Sequence, residues 1–448
     1  MYKQFKFILL IFLLVGISNP ATAATKKYTR EQCVEMALSR NPQVLASIER
    51  KAQAQWQKKA AYDNFLPKLN MDYSYTYLDD EQDFDTGAFG AGKVSITKHD
   101  NYMMGLHIDQ PLFTGFRLTE TYNLADLGLK VAISGEQLAN LDIIFRTTKA
   151  YYDFLMFQKL EQVANAVLVQ LASHLNDSEQ FFKNEVIPQN DLLQSQVHFA
   201  NARQEALLAA SRTRVARMAL ATIIKEPLSL EFEVEDSPNL EELSGDLESF
   251  VQQALVDRPE LQRANYNLEA TKKQITLAKS NYYPEIFLRA SHNRYGGDPW
   301  VDGHGLSDIQ DSRESMIGVY ASWELFAWGQ TKHEVNRATA ASRESSHALA
   351  GVIDEVQLEV QGNFIGAETA YENIATAKLA VDQAEENLRM VTLRYKNQIA
   401  TNTNVLDANT LLSDTRTNYY RAVYDYNIRL AGLARSVGVT RWEELGAN

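Results

Sequence analysis

Residues 395–407 read YKNQIATNTNVLD, a polar stretch between two long runs of helical periodicity at 328–394 and 404–437. On both sides, small and apolar residues recur at alternating steps of three and four. This alternation is typical of a coiled-coil seam, in which side chains of one helix fill holes on its neighbour. The seam positions are Ile374, Ala377, Val381, Ala384, Leu388, Val391 and Tyr395 upstream, and Val405, Ala408, Leu412, Thr415, Tyr419, Ala422 and Tyr426 downstream. The stretch is therefore predicted to be the tip of a long antiparallel helical hairpin.

The same pattern occurs twice along the chain. Matching segments, in the same order and at nearly constant spacing, are Ala37-Leu38 with Ala254-Leu255, Pro67 with Pro284, Leu112-Phe113 with Leu325-Phe326, Phe182-Lys183-Asn184 with Tyr395-Lys396-Asn397, and Asp191-Leu192-Leu193 with Asn404-Val405-Leu406. We infer an internal tandem duplication. Its copies are 24–225 and 251–437, with an acidic linker at 226–250 and a tail at 438–448.

Each copy is predicted to contain short helices, a β-hairpin and a long helical hairpin. Pro67 and Pro284 lie at the helix-to-strand joints, because proline cannot supply the helical hydrogen bond. Period-two alternation then predicts β-hairpins at about 68–112 and about 285–326, with loops at 79–100 and 296–314. The helical hairpins follow at about 116–223 and about 328–437. Their outgoing helices, of roughly seventy residues, would extend ~100 Å at ~1.5 Å per residue.

The predicted strands have the length of tilted strands that cross a bilayer, about ten residues. One face is apolar and aromatic and the other is polar, which fits lipid outside and a wet lumen inside. A soluble sheet with one wet face would give the same alternation. Four strands cannot close a barrel, and open edges are not tolerated in lipid. Strands in a membrane would therefore require several copies of the chain around one barrel, and three copies would supply twelve strands.

The amino-terminal segment 1–23 is predicted to be a secretory signal peptide. Lys3 and Lys6 precede an apolar run at 7–17 that is too short to span a bilayer, and small residues follow. The net charge of −13 and the lack of a basic stripe argue against nucleic acid as a partner. The single cysteine, Cys33, is predicted to be a buried helix residue. The acidic stretches 79–85 and 226–248 are predicted to be solvated loops.

Enzyme motifs are absent from the sequence. The eight His have no metal-ligand spacing, and no G-x-S-x-G, P-loop or H-E-x-x-H occurs. We therefore predict no catalytic residues, no metal and no cofactor, and expect that the protein is not an enzyme.

Two carboxylates draw attention at the hairpin tips. Asp191 and Asp407 lie at the start of the return helices, where an acid complements the positive helix N-terminus. Asp407 is about four residues into its helix, so capping accounts for it less well. In a symmetric assembly each would form a ring of negative charge that constricts a pore and favours cations. Both interpretations are open for Asp191.

These features resemble the TolC family of outer-membrane efflux proteins, over residues 28–440. The resemblance is carried by the doubled unit, the prolines at the joints, L-F-T-G at 112–115 and N-V-L-D-A at 404–408. It implies a homotrimer with a shared twelve-stranded β-barrel in the outer membrane of a Gram-negative bacterium, surrounded by lipid. It also implies a long α-helical coiled-coil barrel in the periplasm, with an equatorial belt formed by 226–248 and the C-terminal residues.

The family's function is that of a passive exit duct in tripartite efflux or type I secretion systems. Its partners are a periplasmic adaptor (membrane fusion protein) and an inner-membrane transporter of RND, ABC or MFS type. By resemblance, the periplasmic gate of this chain contains Asp407 as the constricting carboxylate, Tyr395 as an aromatic that holds the entrance shut, and Asp191 as its charged counterpart. Asn404 stands where the family's namesake has a second carboxylate.

The tips depart from the family pattern at two places. Ala400 occupies the position of an arginine that locks the closed entrance. Glu185 and Gln398 replace the tip glycine, and the preceding Asn184 and Asn397 are residues able to adopt the left-handed backbone that the turn needs. These four tip residues are the predicted adaptor-docking positions. The alternative is a soluble periplasmic coiled-coil adaptor or scaffold without a membrane barrel, and an enzyme comes third.

Overall fold

The computed structural model describes residues 26–80, 82–85, 93–301 and 313–441. The predicted signal peptide at 1–23 and the tail residues 442–448 lie outside the described residues. Of the acidic stretch 79–85, Asp79 and Asp80 are exposed, as expected. Glu81 and the side chains of 82–85 lie outside the description.

Eight helices account for most of the described chain, and two of them are very long. They are α1 (Arg30–Arg40), α2 (Pro42–Asp63), α3 (Arg117–Lys183), α4 (Gln189–Ile224), α5 (Leu247–Asp257), α6 (Pro259–Lys279), α7 (Gln330–Lys396) and α8 (Asn402–Val437). Helices α3 and α7 have 67 residues each, and α4 and α8 have 36 each. These bounds confirm the two predicted helical hairpins. No helix in the part of the chain that the structure describes is both long and apolar enough to cross a membrane.

The strands are β1 (Lys26–Tyr28), β2 (Lys68–Tyr77), β3 (Gln82–Asp85), β4 (Lys93–Thr97), β5 (Asp100–Thr114), β6 (Phe232–Val234), β7 (Glu285–Gly296) and β8 (Arg313–Ser322). The main sheet is antiparallel with the order β2-β5-β7-β8, so the two predicted hairpins lie side by side through β5 and β7. The short pair β3–β4 lies within 79–100, which was predicted to be a loop.

Strand β8 ends earlier than the alternation predicts. The pattern continues through Trp323 and Leu325, but pairing stops where Ser322 meets Glu285, the first residue of β7. The residue before Glu285 is Pro284, which has no N–H to donate, so a longer β8 would have no ladder partner there. Pro67 likewise directly precedes β2. Both prolines therefore lie at helix-to-strand joints, as predicted.

Gly115 shows why the L-F-T-G segment ends in glycine. Its φ is +57°, a left-handed conformation that glycine adopts without strain. A Cβ at this position would lie 2.6 Å from the carbonyl oxygen of Ser280 and 2.8 Å from Cβ of Tyr283. The start of α3 can therefore pack against the α6–β7 joint only with glycine here.

The predicted seam positions of α7 and α8 are each buried or half-buried. The buried seam residues of α8 are Val405, Ala408, Leu412 and Tyr426. The same alternation of three- and four-residue steps runs along α4 from Leu192 to Leu220, and its buried positions are Ser195, Ala206, Ala209, Ala216 and Leu220. Helix α3 packs along α4, and α7 packs along α8. Alanine at so many contact positions lets the helix axes approach closely.

The prediction that the acidic stretch 226–248 is a solvated loop is wrong for part of that stretch. Phe232 and Val234 of β6 are buried, and β6 pairs in parallel with β1. The ring of Phe232 meets those of Tyr28 and Phe154 edge to face. The sequence EFEVE at 231–235 has strand alternation that the density of acidic residues obscured. The linker consequently docks near the middle of α3, where the equatorial belt was expected.

A partly buried ionic cluster, centred on the buried Arg258, joins α6, α7, α8 and α3. Arg258 is only 3 % exposed and binds Glu359 at 2.6 Å and Glu260 at 2.9 Å. Arg435 binds Glu359 at 2.6 Å and Asp142 at 2.7 Å. Burial alone would raise the pKa of Glu260, but the hydrogen bonds and charge of Arg258 outweigh it and hold that pKa below its ordinary value.

Candidate functional site

The two hairpin tips have the same backbone geometry. At residues 184–188, between α3 and α4, the amides of Glu185 and Val186 donate to carbonyls of the last helical turn, each at 2.9 Å. At 397–401, between α7 and α8, Gln398 and Ile399 do the same at 2.9 and 2.8 Å. These bonds close the helix C-termini in the manner of a Schellman motif.

The left-handed residue at each tip is not the asparagine, and that prediction was wrong. Glu185 and Gln398 have φ of +59° and +63°, whereas Asn184 and Asn397 have negative φ. Each asparagine instead uses its side-chain amide to donate to the carbonyl four residues earlier, at 2.8 Å. The Schellman motif requires the left-handed conformation one residue after the asparagine. Glu185 and Gln398, which stand at the position of the tip glycine, therefore adopt a glycine-like backbone although they carry long side chains. All four residues are exposed.

The predicted gate carboxylates lie at different depths in their helices. Asp191 is in the first turn of α4 and is half-buried, whereas Asp407 follows the first turn of α8 and is exposed. The neighbours of Asp407, Leu406 and Ala408, are both buried. The Asp407 side chain therefore projects from α8 on the side opposite the seam.

Asn404 is exposed but has a local partner. Its side-chain oxygen accepts hydrogen bonds from the backbone N–H of Thr401 at 3.0 Å and from the Thr401 hydroxyl at 2.8 Å. The Asn404 N–H lies 3.3 Å from the Thr401 hydroxyl, which completes a capping box. Asn404 therefore helps Thr401 to cap the N-terminus of α8.

Tyr395 lies inside the chain rather than on its surface. It is 4 % exposed, and its ring packs against His174 and Phe181 with centroid distances of 5.0 and 5.5 Å. Its hydroxyl is 3.3 Å from that of Ser178. Burial raises the pKa of the Tyr395 hydroxyl. Tyr395 thus ties α7 to α3 at the tips.

A buried polar network next to Tyr395 was missed by sequence reasoning. Asn402, the first residue of α8, donates to the carbonyl of Asp191 at 3.0 Å. Its side-chain oxygen lies 2.6 Å from Nε2 of His174 and 3.0 Å from the hydroxyl of Ser195. The available signal was polar residues at seam positions, including Ser195. The network brings Asp191 and Tyr395 into one cluster, while Asp407 lies outside it.

The tips also expose apolar side chains, among them Val186 and Ile399. Within the described ranges, no group of His, Cys, Asp and Glu side chains has the geometry to hold a metal ion. The arrangement offers a charged surface, an apolar surface and a packed polar core, and thus fits binding and gating.

Comparison with known proteins gives consistent results. The family model described as "Outer membrane efflux protein" matches residues 33–224 and 250–439. The outer membrane protein TolC of Vibrio cholerae is 22% identical over 443 residues, covering 97% of this chain and 95% of that protein.

Two solved structures share the fold. The CmeC outer membrane channel of Campylobacter jejuni superposes with a TM-score of 0.79 at 15% identity, covering 91% of this chain and 85% of the other. The outer membrane protein VceC of Vibrio cholerae superposes with a TM-score of 0.76 at 18% identity, covering 92% and 96%.

Proposed function

This chain belongs to the outer membrane efflux protein family, and on that premise we propose that it is the exit duct of a tripartite efflux or type I secretion system. In this proposal three copies form the duct, which conducts substrates passively across the outer membrane and the periplasm of a Gram-negative bacterium. A periplasmic adaptor and an inner-membrane transporter of RND, ABC or MFS type deliver the substrate. The duct performs no catalysis.

The observation that carries the proposal is the four-stranded sheet beside two 67-residue helices. Strands β2 and β8 are its outer strands, and each has 10 residues, long enough to cross a bilayer at a tilt. Lipid does not tolerate the unpaired edges of such strands. Joining β2 of one copy to β8 of the next would satisfy both edges, and three copies would close twelve strands.

The two faces of the sheet support an aqueous interior. On one face Arg289 binds Asp109 through Nε and Nη2, and His107 lies 3.0 Å from Asp72. On the other face β2 exposes apolar and aromatic side chains, namely Leu69, Met71, Tyr73, Tyr75 and Tyr77. Charged pairs suit a wet lumen, whereas the apolar face suits lipid.

The test is the state and conductance of the purified protein. We expect a trimer in detergent and ion-conducting channels in planar bilayers, and polarity-sensitive labels on Tyr75 and Val319 should report lipid. A protein that stays soluble without detergent and whose labels report water would instead support the alternative, a periplasmic coiled-coil adaptor or scaffold.

Within this proposal the tips form the gate. Asp407 would line the entrance from the exposed side of α8, one turn beyond Asn404. Tyr395 and the main chain of Asp191 would act from inside the chain by holding α7 and α8 against the first hairpin. The contacts of Tyr395 and of the Asp191 carbonyl, and the exposure of Asp407, support this division of roles.

The exposed tip residues are the proposed adaptor-docking surface, defined as Asn184, Glu185, Asn397 and Gln398. Photo-crosslinkers placed in cells at Asn184 and at Asn397 should capture the same periplasmic adaptor. Lys272, exposed on α6 and far from the tips along the helices, is the matched control. Equal capture of that adaptor from Lys272 would contradict docking at the tips.

A further inference from the structure

The polar network at the tips links the two helical hairpins of one chain. His174 and Ser178 belong to α3, Ser195 to α4, and Asn402 to α8; each is at most 6 % exposed. The hydroxyls of Ser178 and Ser195 are 3.1 Å apart. Since Asn402 contacts both α3 and α4, α8 cannot move away from the first hairpin without breaking these bonds.

The hydrogen bonds determine where the His174 proton lies. The amide nitrogen of Asn402 donates to the Asp191 carbonyl, so its side-chain oxygen faces His174 as an acceptor. Nε2 of His174 must therefore carry the proton in this bond, and the neutral imidazole already satisfies it. A second proton, on Nδ1, would add a positive charge at a buried site and would create no further hydrogen bond to Asn402.

The charged and titratable surroundings of His174 come from three helices. Asp177 lies on α3, His198 and Asp191 on α4, and Tyr395 on α7. Burial lowers the pKa of His174 and is the largest effect; the Asn402 bond and the charge of Asp177 oppose it, and His198 reinforces it. Lys396 of α7 pairs with Asp177 at 3.7 Å. This pairing weakens the electrostatic stabilisation that Asp177 would give to a protonated His174.

Resting on the proposed function, we infer that His174 is a positioning residue of the entrance: the neutral imidazole holds α8 closed through Asn402, and protonation in acid releases it. Parting of the hairpins exposes His174 to water, where its pKa returns towards 6.5, the ordinary value. The stabilisation of the closed entrance by neutral His174 is therefore fully present above about pH 6.5 and is lost as the pH falls below that value. Acidification should open the duct.

The experiment measures the open fraction of single channels in planar bilayers between about pH 7.5 and about pH 5.5. Wild-type protein should open on the order of tenfold more at the lower pH, since one pH unit below the open-state pKa favours the protonated form tenfold. His174→Gln retains an N–H donor but cannot titrate, so its open fraction should be nearly independent of pH. His347→Gln, at an exposed position on α7, is the matched control and should respond like wild type.

Asn402→Asp provides a second variant, whose response to acid should be opposite to that of the wild type. A carboxylate facing the imidazole stabilises the imidazolium, so acid should close this variant rather than open it. An acid response in His174→Gln equal to that of wild type, or no response in wild type, would overturn the inference while leaving the duct itself intact. A wild-type protein that forms no channels at any pH would overturn the proposed function, and this inference with it.

Discussion

Asp407→Ala is expected to raise the single-channel conductance, because the shorter side chain widens the constriction. It should also reduce cation preference by on the order of tenfold, because a ring of carboxylates concentrates cations. Asp407 is exposed on α8 beyond the first turn, opposite the buried seam. Its removal takes one negative charge per chain from the proposed entrance and leaves the packing of Leu406 and Ala408 unchanged. Reversal potentials in a salt gradient measure the change in selectivity.

The matched control is Asp414→Ala. Asp414 is exposed on nearly the same side of α8, two turns further along and therefore about 10 Å from Asp407. It removes an identical charge away from the tip, so its effect on conductance and selectivity should be much smaller. Unchanged conductance and selectivity in Asp407→Ala would remove Asp407 from the gate.

Arg258→Ala is expected to lower the free energy of unfolding by about 3–5 kcal/mol, the range for breaking a buried ion pair from one side. The substitution leaves Glu260 without its nearest cation and Glu359 with Arg435 alone, and removes a donor to the carbonyl of Ser436 at 3.2 Å. Because the cluster joins α6, α7 and α8, the loss should appear as a lower midpoint of thermal unfolding in detergent.

Arg389 supplies a control with the same chemistry and no burial. It binds Glu386 through two nitrogens at 2.7 and 2.6 Å, but both side chains are exposed. Arg389→Ala should therefore leave the midpoint nearly unchanged, since exposed pairs are screened by water and salt. Equal shifts for the two variants would mean that the buried cluster does not stabilise the equatorial region.

The helices were predictable because their signals are local and repeated. Steps of three and four place the seam, and Pro67 and Pro284 mark where helices give way to strands. The ends of the sheet were less predictable: β8 stops at Ser322 because its neighbour β7 begins at Glu285, which is a property of pairing rather than of β8 itself. The strand β6 was not predicted, because the many acidic residues around it favoured a solvated loop and only two residues, Phe232 and Val234, favoured burial.

The candidate site divides in the same way. The tips and the exposure of Asp407 follow from helical periodicity near 404–408. The network of His174, Ser195 and Asn402 does not, because these residues come from three helices whose relative rotation the sequence pattern leaves undetermined. A single buried polar residue in a seam is compatible with many partners, and only the packed structure selects one.

The side-by-side hairpins of the main sheet also bear on how the duct would be made. With β2 and β8 at its borders, one chain carries two ten-residue rows of unmatched backbone groups. In the proposed trimer these rows are satisfied only when three chains meet, so membrane insertion becomes a reaction of high kinetic order in protein concentration. Until then the unpaired edge strands of a single chain can pair with strands of other polypeptides. Biogenesis of the duct would therefore depend on holding factors that keep solitary chains apart until their partners arrive.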